Sequence, residues 1–331
     1  MHIHPDIAAL RGDDAPQRGA QAALIRVAGA WRKGRQVAEV LGDLHAFATC
    51  RSLAECGALS ALFDEESDAA ARLAGDFVSL FTAALSTQPL GHVPFRHFTD
   101  GTVSTLLLAR SGAVTLSLVA TDGDGLAARP DPVTVDFSPS EVWERVLAGN
   151  AVAELVECRP VDARHGPDRE AQLHRKPIVL APGRIICRAA SRQALLLRTV
   201  EGRLVTLRLQ RRRPEAGPTR EYRLDDGRLV HQATGTPQES RTELVMALVA
   251  RMGRADAAPH IAAIAQAEDG AAGLRWQALR ECLALDTASG FAALSTIARR
   301  TGDPLAAAAG ALRSQLVETH PVLEELVSCP A

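Results

Sequence analysis

An apolar pattern that recurs three times near the C-terminus constrains the fold of this chain more than any other feature of its sequence. The copies follow one another at an interval of 33 residues and occupy positions 245–250, 278–283 and 311–316. The interval also holds at the apolar positions between the copies, which are Ile261, Ile264, Leu294 and Ile297. A fixed period of this length is typical of stacked two-helix units, none of which can bury its apolar face alone. The pattern predicts a helical stack, an architecture that builds binding surfaces and needs no catalytic chemistry.

Two short stretches of these repeats resemble a known repeat family. Leu274–Leu279 and Asp303-Pro304-Leu305 are similar to the opening of the first helix of a HEAT-type unit. The resemblance covers about residues 240–318, and it implies a fold and a habit of binding other molecules without naming a ligand. Three units are near the minimum for an independent stack. We therefore expect the repeats to pack against the region that precedes them and to gain stability from it.

Length and composition indicate a globular protein without a membrane span. The chain has 331 residues, of which 47% are hydrophobic, a formal net charge of −2 and a pI of about 6.6. This balance gives no global attraction to nucleic acid or to acidic membranes. The first residues lack the basic-then-apolar order of a signal peptide, and no run approaches the ~20 apolar residues that span a bilayer. We expect a cytoplasmic protein that has no membrane partner.

The cysteines and the basic residues indicate a reducing compartment and a GC-rich genome. The six cysteines include no CxxC pair, and Cys50 and Cys56 are poorly spaced for zinc. Lysine occurs only at positions 33 and 176, so that arginine supplies the other fixed positive charges. Together with abundant alanine, this usage is typical of a bacterial, GC-rich genome.

Residues 1–88 are predicted to form a helical N-terminal segment. Leu24, Ala28 and Trp31 fall on one face of a helix. A further helix is predicted from about Ser67 to Leu85, with a stripe of leucine and phenylalanine along one side. The helical pattern ends where Gln88-Pro89-Leu90-Gly91 interrupts it.

Residues 89–238 change to the period of β-strands. Three hairpins are predicted around the turns Arg110-Ser111-Gly112, Glu201-Gly202 and Asp225-Asp226-Gly227. One helix is predicted to interrupt the strands, with Ser138 as its N-cap, Glu141 closing a capping box and Gly149 as its stop. Short strands joined by tight turns favour an antiparallel sandwich or barrel. The predicted fold class is α+β: a helical N-terminal segment, an antiparallel β domain, and a C-terminal stack of two-helix repeats over residues 239–331.

The β domain also resembles a cupin. Ala181-Pro182-Gly183-Arg184 is similar to the Pro-Gly turn that precedes a late strand in that family. No early strand of the β region carries the family's His-x-His pair, and Ile185, Ile186 and Cys187 stand where a metal-binding cupin places a histidine. The resemblance therefore implies a cupin-like fold without the family's metal ligands. A barrel of this kind can still bind an organic molecule or a peptide in its mouth.

His92, His97 and Asp100 form the densest cluster of residues with catalytic character. Two imidazoles and a carboxylate could hold a divalent metal such as Fe, Mn or Zn, with His231 as a distant ligand. The alternative is a pair of surface or capping histidines at a domain junction, because their five-residue spacing does not force the rings to converge. His231 and Glu239 are also a candidate acid–base pair.

The strongest local basic patch consists of Arg208, Arg211, Arg212, Arg213 and Arg220. One interpretation is contact with the phosphates of nucleic acid or of a nucleotide. The other is an exposed hairpin end whose charges prevent edge pairing. Aromatic residues make up 4% of the chain and do not interleave with the patch, so base stacking has little basis. The second interpretation is favoured, and nucleic acid is a disfavoured partner.

Sequence motifs of common enzymes are missing from the chain, which has no GxGxxG, GxxxxGK[ST], HExxH or GxSxG. The leading hypothesis is a non-catalytic binding or accessory module that recognises a peptide, a protein or a small ligand where the β domain meets the helical repeats. The first alternative is a metal-dependent, oxygenase-like enzyme that uses a His92/His97 site. The second is a regulator that senses a ligand in the β domain and contacts nucleic acid through Arg211–Arg213.

Overall fold

In a computed structural model the chain forms two compact units, and the residues described are 12–49, 51–160, 170–213, 217–233 and 236–324. The sheet unit comprises Met1–Arg213 and Glu221–Val230, and the helical unit comprises Pro214–Arg220 and His231–Ala331. Helices precede an antiparallel sheet in the chain, and further helices follow it. The predicted α+β class is confirmed.

The N-terminal helices bury one apolar face each. Helix α1 spans Ala15–Lys33, α2 Arg35–Ala48, α3 Gly57–Ser60 and α4 Ala69–Thr87, with 3-10 turns at Leu53–Glu55 and Ala61–Phe63. The predicted stripe residues Leu24, Ala28 and Trp31 are all buried on α1. Gly34 has an extended backbone that ends α1 and allows α2 to start at the next residue. The helical character predicted for this segment is confirmed.

The strands form one large sheet and one small sheet. They are β1 His97–Thr99, β2 Val103–Ser111, β3 Val114–Asp122, β4 Thr134–Phe137, β5 Ser140–Pro160, β6 Ala171–Leu180, β7 Ile185–Ala189, β8 Gln193–Arg212, β9 Thr219–Arg223 and β10 Leu229–Ala233, with helix α5 at Gly123–Ala127. The large sheet has seven strands in the order β1-β2-β3-β8-β5-β6, and β7 pairs with β5. The small sheet has the order β10-β9-β4.

The first and third predicted hairpins are confirmed, and the second is wrong. Strands β2 and β3 pair across the turn at Gly112, and β9 and β10 are neighbours around Asp225-Asp226-Gly227. Strand β8 runs through Glu201-Gly202 without reversing, because β5 pairs with it on both sides of that position. Gly202 has a positive φ of 63°. A glycine with a positive φ is typical of a hairpin loop, which is why Glu201-Gly202 predicts one. Here the glycine lies inside a continuous strand.

The helix predicted between Ser138 and Gly149 is also wrong, because these residues enter β5. The Ser138 hydroxyl lies 3.0 Å from the Ser140 hydroxyl and does not cap a helix. From Val142 onwards, successive side chains point to opposite faces of the sheet, as in a strand. Strands β7 and β8 pair with this segment on its two edges. Tertiary pairing of this kind overrides a local capping signal.

Any substitution of Gly149 is expected to destabilise the fold. Its φ is 85°, and a Cβ atom here would lie 2.1 Å from the carbonyl oxygen of Arg203. We expect Gly149→Ala to lower the free energy of unfolding by about 2–4 kcal/mol, since the left-handed backbone alone costs alanine about 1–2 kcal/mol. Urea unfolding followed by circular dichroism measures the loss. Gly183→Ala is the matched control, because Gly183 has a φ of 88° and open space around its Cβ. Equal losses in the two variants would contradict the clash.

One hydrophobic core joins the N-terminal helices to the large sheet. The rings of Phe47 and Trp143 meet edge to face with centroids 5.5 Å apart. Arg145 is 6% exposed and donates hydrogen bonds to the carbonyl oxygens of Asp64 at 2.5 Å and Ser67 at 2.6 Å. The strands contribute Leu108, Val114, Leu116, Leu207 and Leu209 to this core. The helices therefore cover one face of the sheet, and the alternate side chains of the same strands lie on the other face.

The helical unit contains the repeat pattern. Its helices are α6 Pro237–Arg251, α7 Ala258–Gln266, α8 Ala272–Leu285, α9 Thr287–Arg299 and α10 Ala306–Thr319, with 3-10 turns at Ala255–Ala257 and Pro321–Glu324. Helices α6, α8 and α10 carry the three copies of the pattern, and α7 and α9 carry the positions between them. Helix α8 packs against α6, α7 and α9, and α10 packs against α9. The helical character is confirmed, and the HEAT-type assignment stays a prediction.

A buried ion pair lies in the core of the helical unit. The Arg275 side chain is 2% exposed and that of Asp303 is 6% exposed. The Nη2 atom of Arg275 lies 2.5 Å from Oδ2 of Asp303, and Nη1 lies 3.2 Å from Oδ1. Its Nε atom donates to the carbonyl oxygen of Ala265 at 3.1 Å. The planar guanidinium thus holds α8 to the end of α7 and to the turn before α10.

Candidate functional site

A groove of about 780 Å³ runs along one side of α6 in the helical unit. We call it the α6 groove. Its walls come from α6, the first turns of α8 and the end of β10, and include His231, Glu239, Glu243, Leu244, Ala247, Leu274 and Gln277. The volume is in the range of ligand pockets, which are mainly apolar with a few polar groups.

The start of α6 fixes one polar edge of the α6 groove. Thr236 caps the helix, and its hydroxyl oxygen accepts the backbone N–H of Glu239 at 3.1 Å. The Glu239 carboxylate in turn accepts the backbone N–H of Thr236 at 3.1 Å, which completes a capping box. His231 and Glu239, the predicted acid–base pair, therefore line the same groove. The carboxylate serves the helix cap, and the acid–base role stays a prediction.

The outer face of α6 and its C-cap residue carry exposed apolar side chains that we call the α6 row: Leu244, Val245, Leu248 and the C-cap Met252. Leu244 is 70% exposed, Leu248 57% and Met252 61%. Residues four apart share one helical face, so these three form a line. Met246 is 3% exposed and belongs to the core of the unit, so α6 has one packed and one open apolar face. Leu244 also lines the α6 groove, and the row therefore continues the groove.

Acidic groups accompany the apolar surface of the α6 groove. Glu239 and Glu243 both line it. At the opposite wall, the side-chain amide of Gln277 donates to Glu281 at 2.6 Å, which brings a third carboxylate to the same side of α8. A ligand that fills the groove meets aliphatic side chains and carboxylates together. This combination favours a ligand with aliphatic and basic groups.

The predicted metal ligands are distributed over both units. His92 and His97 are exposed in the sheet unit, His92 between α4 and β1 and His97 on β1. His231 belongs to the helical unit. Throughout the described ranges, no group of three or more His, Cys, Asp or Glu residues is placed to hold a metal ion. The metal-dependent enzyme stays a prediction and gains no support from the arrangement of these side chains.

Asp100 stabilises a turn. Its carboxylate accepts the backbone N–H groups of Val103 at 2.8 Å and Thr102 at 3.0 Å, and it pairs with Arg129 at 2.8 Å. The hydrogen bond from Val103, followed by those from Arg129 and Thr102, lowers the pKa of Asp100 to about 2. These contacts engage the carboxylate in the connection between β1 and β2.

The predicted basic patch is largely balanced by glutamates. Arg208 donates to Glu144 at 2.6 Å. Arg211 and Arg213 pair with Glu141 at 2.6 and 2.9 Å, and Arg211 also lies over the ring of Phe47 at 4.0 Å. Burial raises the pKa of Glu141, and the hydrogen bonds from Arg211 and Arg213 outweigh it, so that this pKa lies below its ordinary value.

The remaining two arginines of the patch lie apart from the other three. Arg212 is exposed at the end of β8, and Arg220 belongs to the helical unit. Strand alternation explains why the patch does not form one basic surface, because successive side chains of β8 point to opposite faces. Contact with nucleic acid through Arg211–Arg213 stays a prediction, and the ion pairs weaken its basis.

A charged cluster that sequence reasoning missed lies on the sheet face away from the N-terminal helices. The Glu144 side chain is 3% exposed and accepts hydrogen bonds from Arg208 at 2.6 Å and from Arg188 at 2.8 Å. Burial raises the pKa of Glu144, and the charges of Arg208 and Arg188 lower it further than burial raises it. The misassigned helix concealed this cluster, because only a strand at 140–160 brings Glu144 between β7 and β8.

Comparison with known proteins finds similarity of fold in part of the chain. No protein-family model and no curated protein matches the sequence. A sugar phosphate isomerase of the cupin superfamily from Silicibacter pomeroyi DSS-3 is 15% identical, with a TM-score of 0.24 over 38% of this chain and 66% of its own. A cupin superfamily protein from Desulfitobacterium hafniense DCB-2 is 17% identical, with a TM-score of 0.22 over 35% and 83%. HutD from Pseudomonas fluorescens SBW25 is 15% identical, with a TM-score of 0.25 over 37% and 58%.

Two of these three proteins belong to the family that Ala181–Arg184 resembles. TM-scores of this size carry no argument about a ligand or a reaction.

Among the described residues, no helix combines the length and the apolar character that crossing a bilayer requires.

Proposed function

We propose that the protein is a non-catalytic binding module and that the α6 groove, together with the α6 row, takes a short peptide segment of a partner protein. The observation that carries the proposal is the continuity of the groove with the row. Both are in the same helical unit, and Leu244 belongs to both. Contiguous exposed apolar surface bordered by polar groups is typical of protein interaction sites.

The charge of the α6 groove selects among peptides. Glu239 and Glu243 line it, and Glu281 lies beyond Gln277. A groove lined by aliphatic side chains and carboxylates fits a segment that brings leucine, isoleucine or valine to the former and lysine or arginine to the latter. We therefore expect the partner segment to be both aliphatic and basic.

Leu244→Asp is expected to weaken peptide binding at least tenfold. Burial of a leucine side chain is worth about 1.5–3 kcal/mol, and about 1.4 kcal/mol corresponds to a factor of ten in affinity. Peptides selected from a random display library on the immobilised full chain are labelled, and fluorescence anisotropy gives their dissociation constants. Substituting glutamine for the basic residues of a selected peptide should also weaken its binding, because the carboxylates of the groove then lose their counter-charges.

Val78→Asp is the matched control for this experiment. Val78 is 56% exposed, lies on α4 of the sheet unit and receives the same change in charge. The control should bind the selected peptides within twofold of the unchanged protein. The proposal fails if Leu244→Asp binds them equally well, or if selection enriches no aliphatic and basic peptides.

A further inference from the structure

The sheet unit contains a second cavity, of about 690 Å³, whose lining is rich in arginine. We call it the arginine cavity. It lies among the start of β4, the turn between β9 and β10, β6 and β8, and its lining includes Val133, Arg175, Arg198, Arg223, Leu224 and Val230. None of these residues belongs to the helical unit, so the cavity is independent of the α6 groove.

A β-bulge places Arg198 in this cavity. Val152 of β5 pairs with Thr199 of β8, and Ala153 pairs with Leu197, so that Arg198 is the extra residue between them. Bulges alter the direction of a side chain and often occur next to functional sites. The Nε atom of Arg198 is buried and has no hydrogen-bond partner among the described residues. A buried donor without an acceptor is costly, so the described residues leave the hydrogen-bonding capacity of this guanidinium partly unfilled.

The charges next to Arg198 are locally positive. A single oxygen of Glu154, Oε2, accepts hydrogen bonds from Arg198 at 2.8 Å and from Arg175 at 2.8 Å. Burial raises the pKa of Glu154, and the hydrogen bonds from Arg198 and Arg175 lower it further, so that this carboxyl remains charged. Two guanidinium groups thus share one carboxylate. At the other end of the lining, Arg223 pairs with Asp225 and Asp226, and Asp131 is exposed, so that the positive character is confined to the end that holds Arg175 and Arg198.

The walls of the arginine cavity are apolar and partly open. Val133 is 75% exposed and Val230 54%, and both line it. On the sheet face of Glu154, the directly opposed residues Val152 and Val179 extend the apolar surface and are 43% and 68% exposed. A ligand held by the floor would cover these valines with an apolar group. The surface is therefore amphipathic, with a cationic floor and hydrophobic walls.

We propose that the arginine cavity binds a small amphiphilic monoanion, a carboxylate attached to a hydrocarbon chain or ring. The carboxylate binds the guanidinium groups of Arg198 and Arg175 and neutralises their excess charge, and the hydrocarbon packs against Val133 and Val230. A guanidinium and a carboxylate form short, charge-assisted hydrogen bonds. This site is separate from the peptide site, and the two proposals stand or fall independently.

Octanoate is the probe for this proposal, and the uncharged octanamide is its matched control. Titration calorimetry on the full chain should show octanoate binding at least tenfold more tightly than octanamide, because only the carboxylate satisfies the cationic floor. Arg198→Gln should weaken octanoate binding at least tenfold and leave octanamide unchanged. Arg203→Gln is the control variant, since Arg203 is 67% exposed and pairs with Asp122 outside the cavity.

Val230→Asp provides a second test at an exposed wall position, where a change in side chain leaves the buried floor intact. It should weaken both probes, since the hydrocarbon is shared. Equal affinity for octanoate and octanamide, unchanged octanoate affinity in Arg198→Gln, or no octanoate binding at millimolar concentration would overturn the proposal. None of these results affects the peptide experiment, which reports on Leu244 in the other unit.

Discussion

Asp303→Ala is expected to destabilise the helical unit by about 3–5 kcal/mol, the usual cost of removing one partner from a buried ion pair. Arg275 is 2% exposed, and alanine at position 303 would leave its guanidinium without a counter-charge. The hydrogen bond to the carbonyl oxygen of Ala265 would remain, although one neutral acceptor cannot compensate a buried cation. A loss of this size is a large part of the stability of an ordinary domain.

Urea unfolding followed by circular dichroism measures this effect, with Asp256→Ala as the control. Asp256 pairs with Arg254 in the same unit, but their side chains are 66% and 59% exposed. Exposed pairs contribute about 0–1 kcal/mol, so the control should change little. The double variant Arg275→Met with Asp303→Leu should recover most of the loss, because it removes both charges and retains volume. If Asp303→Ala costs no more than the control, the pair does not stabilise the unit.

The same pair predicts a pH dependence. The hydrogen bond from Arg275 lowers the pKa of Asp303 below the ordinary aspartate value of about 3.9. A carboxyl whose pKa is lowered by folding stabilises the protein fully above its unfolded pKa, and this contribution is lost as the pH falls through the folded pKa. The difference in stability between the unchanged protein and Asp303→Ala should therefore be constant near neutral pH and should shrink below about pH 4.

Glu144→Ala is expected to cost the sheet unit about 3–5 kcal/mol for a related reason. The Glu144 side chain is 3% exposed, and Arg188 and Arg208 are 13% and 35% exposed. Without the carboxylate, two guanidinium groups face each other across β5, and the less exposed Arg188 has the smaller access to water. Glu144→Gln should cost less, because the amide oxygen still accepts one hydrogen bond.

Thermal unfolding followed by circular dichroism ranks these variants by stability, and Glu201→Ala is the control variant on the same sheet. Glu201 is exposed on β8, where it accepts a hydrogen bond from Asn150 at 3.2 Å. We expect a change within about 0.5 kcal/mol for this surface residue. The interpretation would be wrong if Glu144→Ala and Glu201→Ala had the same melting temperature. It would also be wrong if Glu144→Gln were less stable than Glu144→Ala.

The helices could be predicted from the sequence because their signal is periodic and local. The stripe of Leu24, Ala28 and Trp31 and the 33-residue pattern both report burial on one helical face. The errors fell where a local signal has two meanings. Ser138 to Glu141 matches a capping box, and Glu201-Gly202 matches a hairpin loop. Only the long-range pairing of β5 with β8 decides between the alternatives, and this pairing is not visible in either stretch alone.

The candidate sites could be predicted only in part. The sequence predicts His231 and Glu239 as a pair, and both residues line one groove. The repeat pattern shows apolar residues at 245–250, but it does not show that Val245 is 57% exposed while its counterpart Ala278, 33 positions later, is fully buried. That difference depends on which helices flank each copy. Arg198 gave no signal, because a bulge arises from the pairing of two strands rather than from the sequence of one.

Strands β5 and β8, with 21 and 20 residues, form one long antiparallel ladder. Because side chains alternate with a period of two, a residue inserted into either strand would turn every side chain beyond it to the opposite face. Buried leucines would then exchange places with arginines and glutamates over most of the sheet unit. The chain should accept such an insertion only next to an existing bulge, as at Arg198, where an extra residue already stands outside the regular pairing. The length of each strand between its bulges is therefore a property that the protein cannot change by single residues.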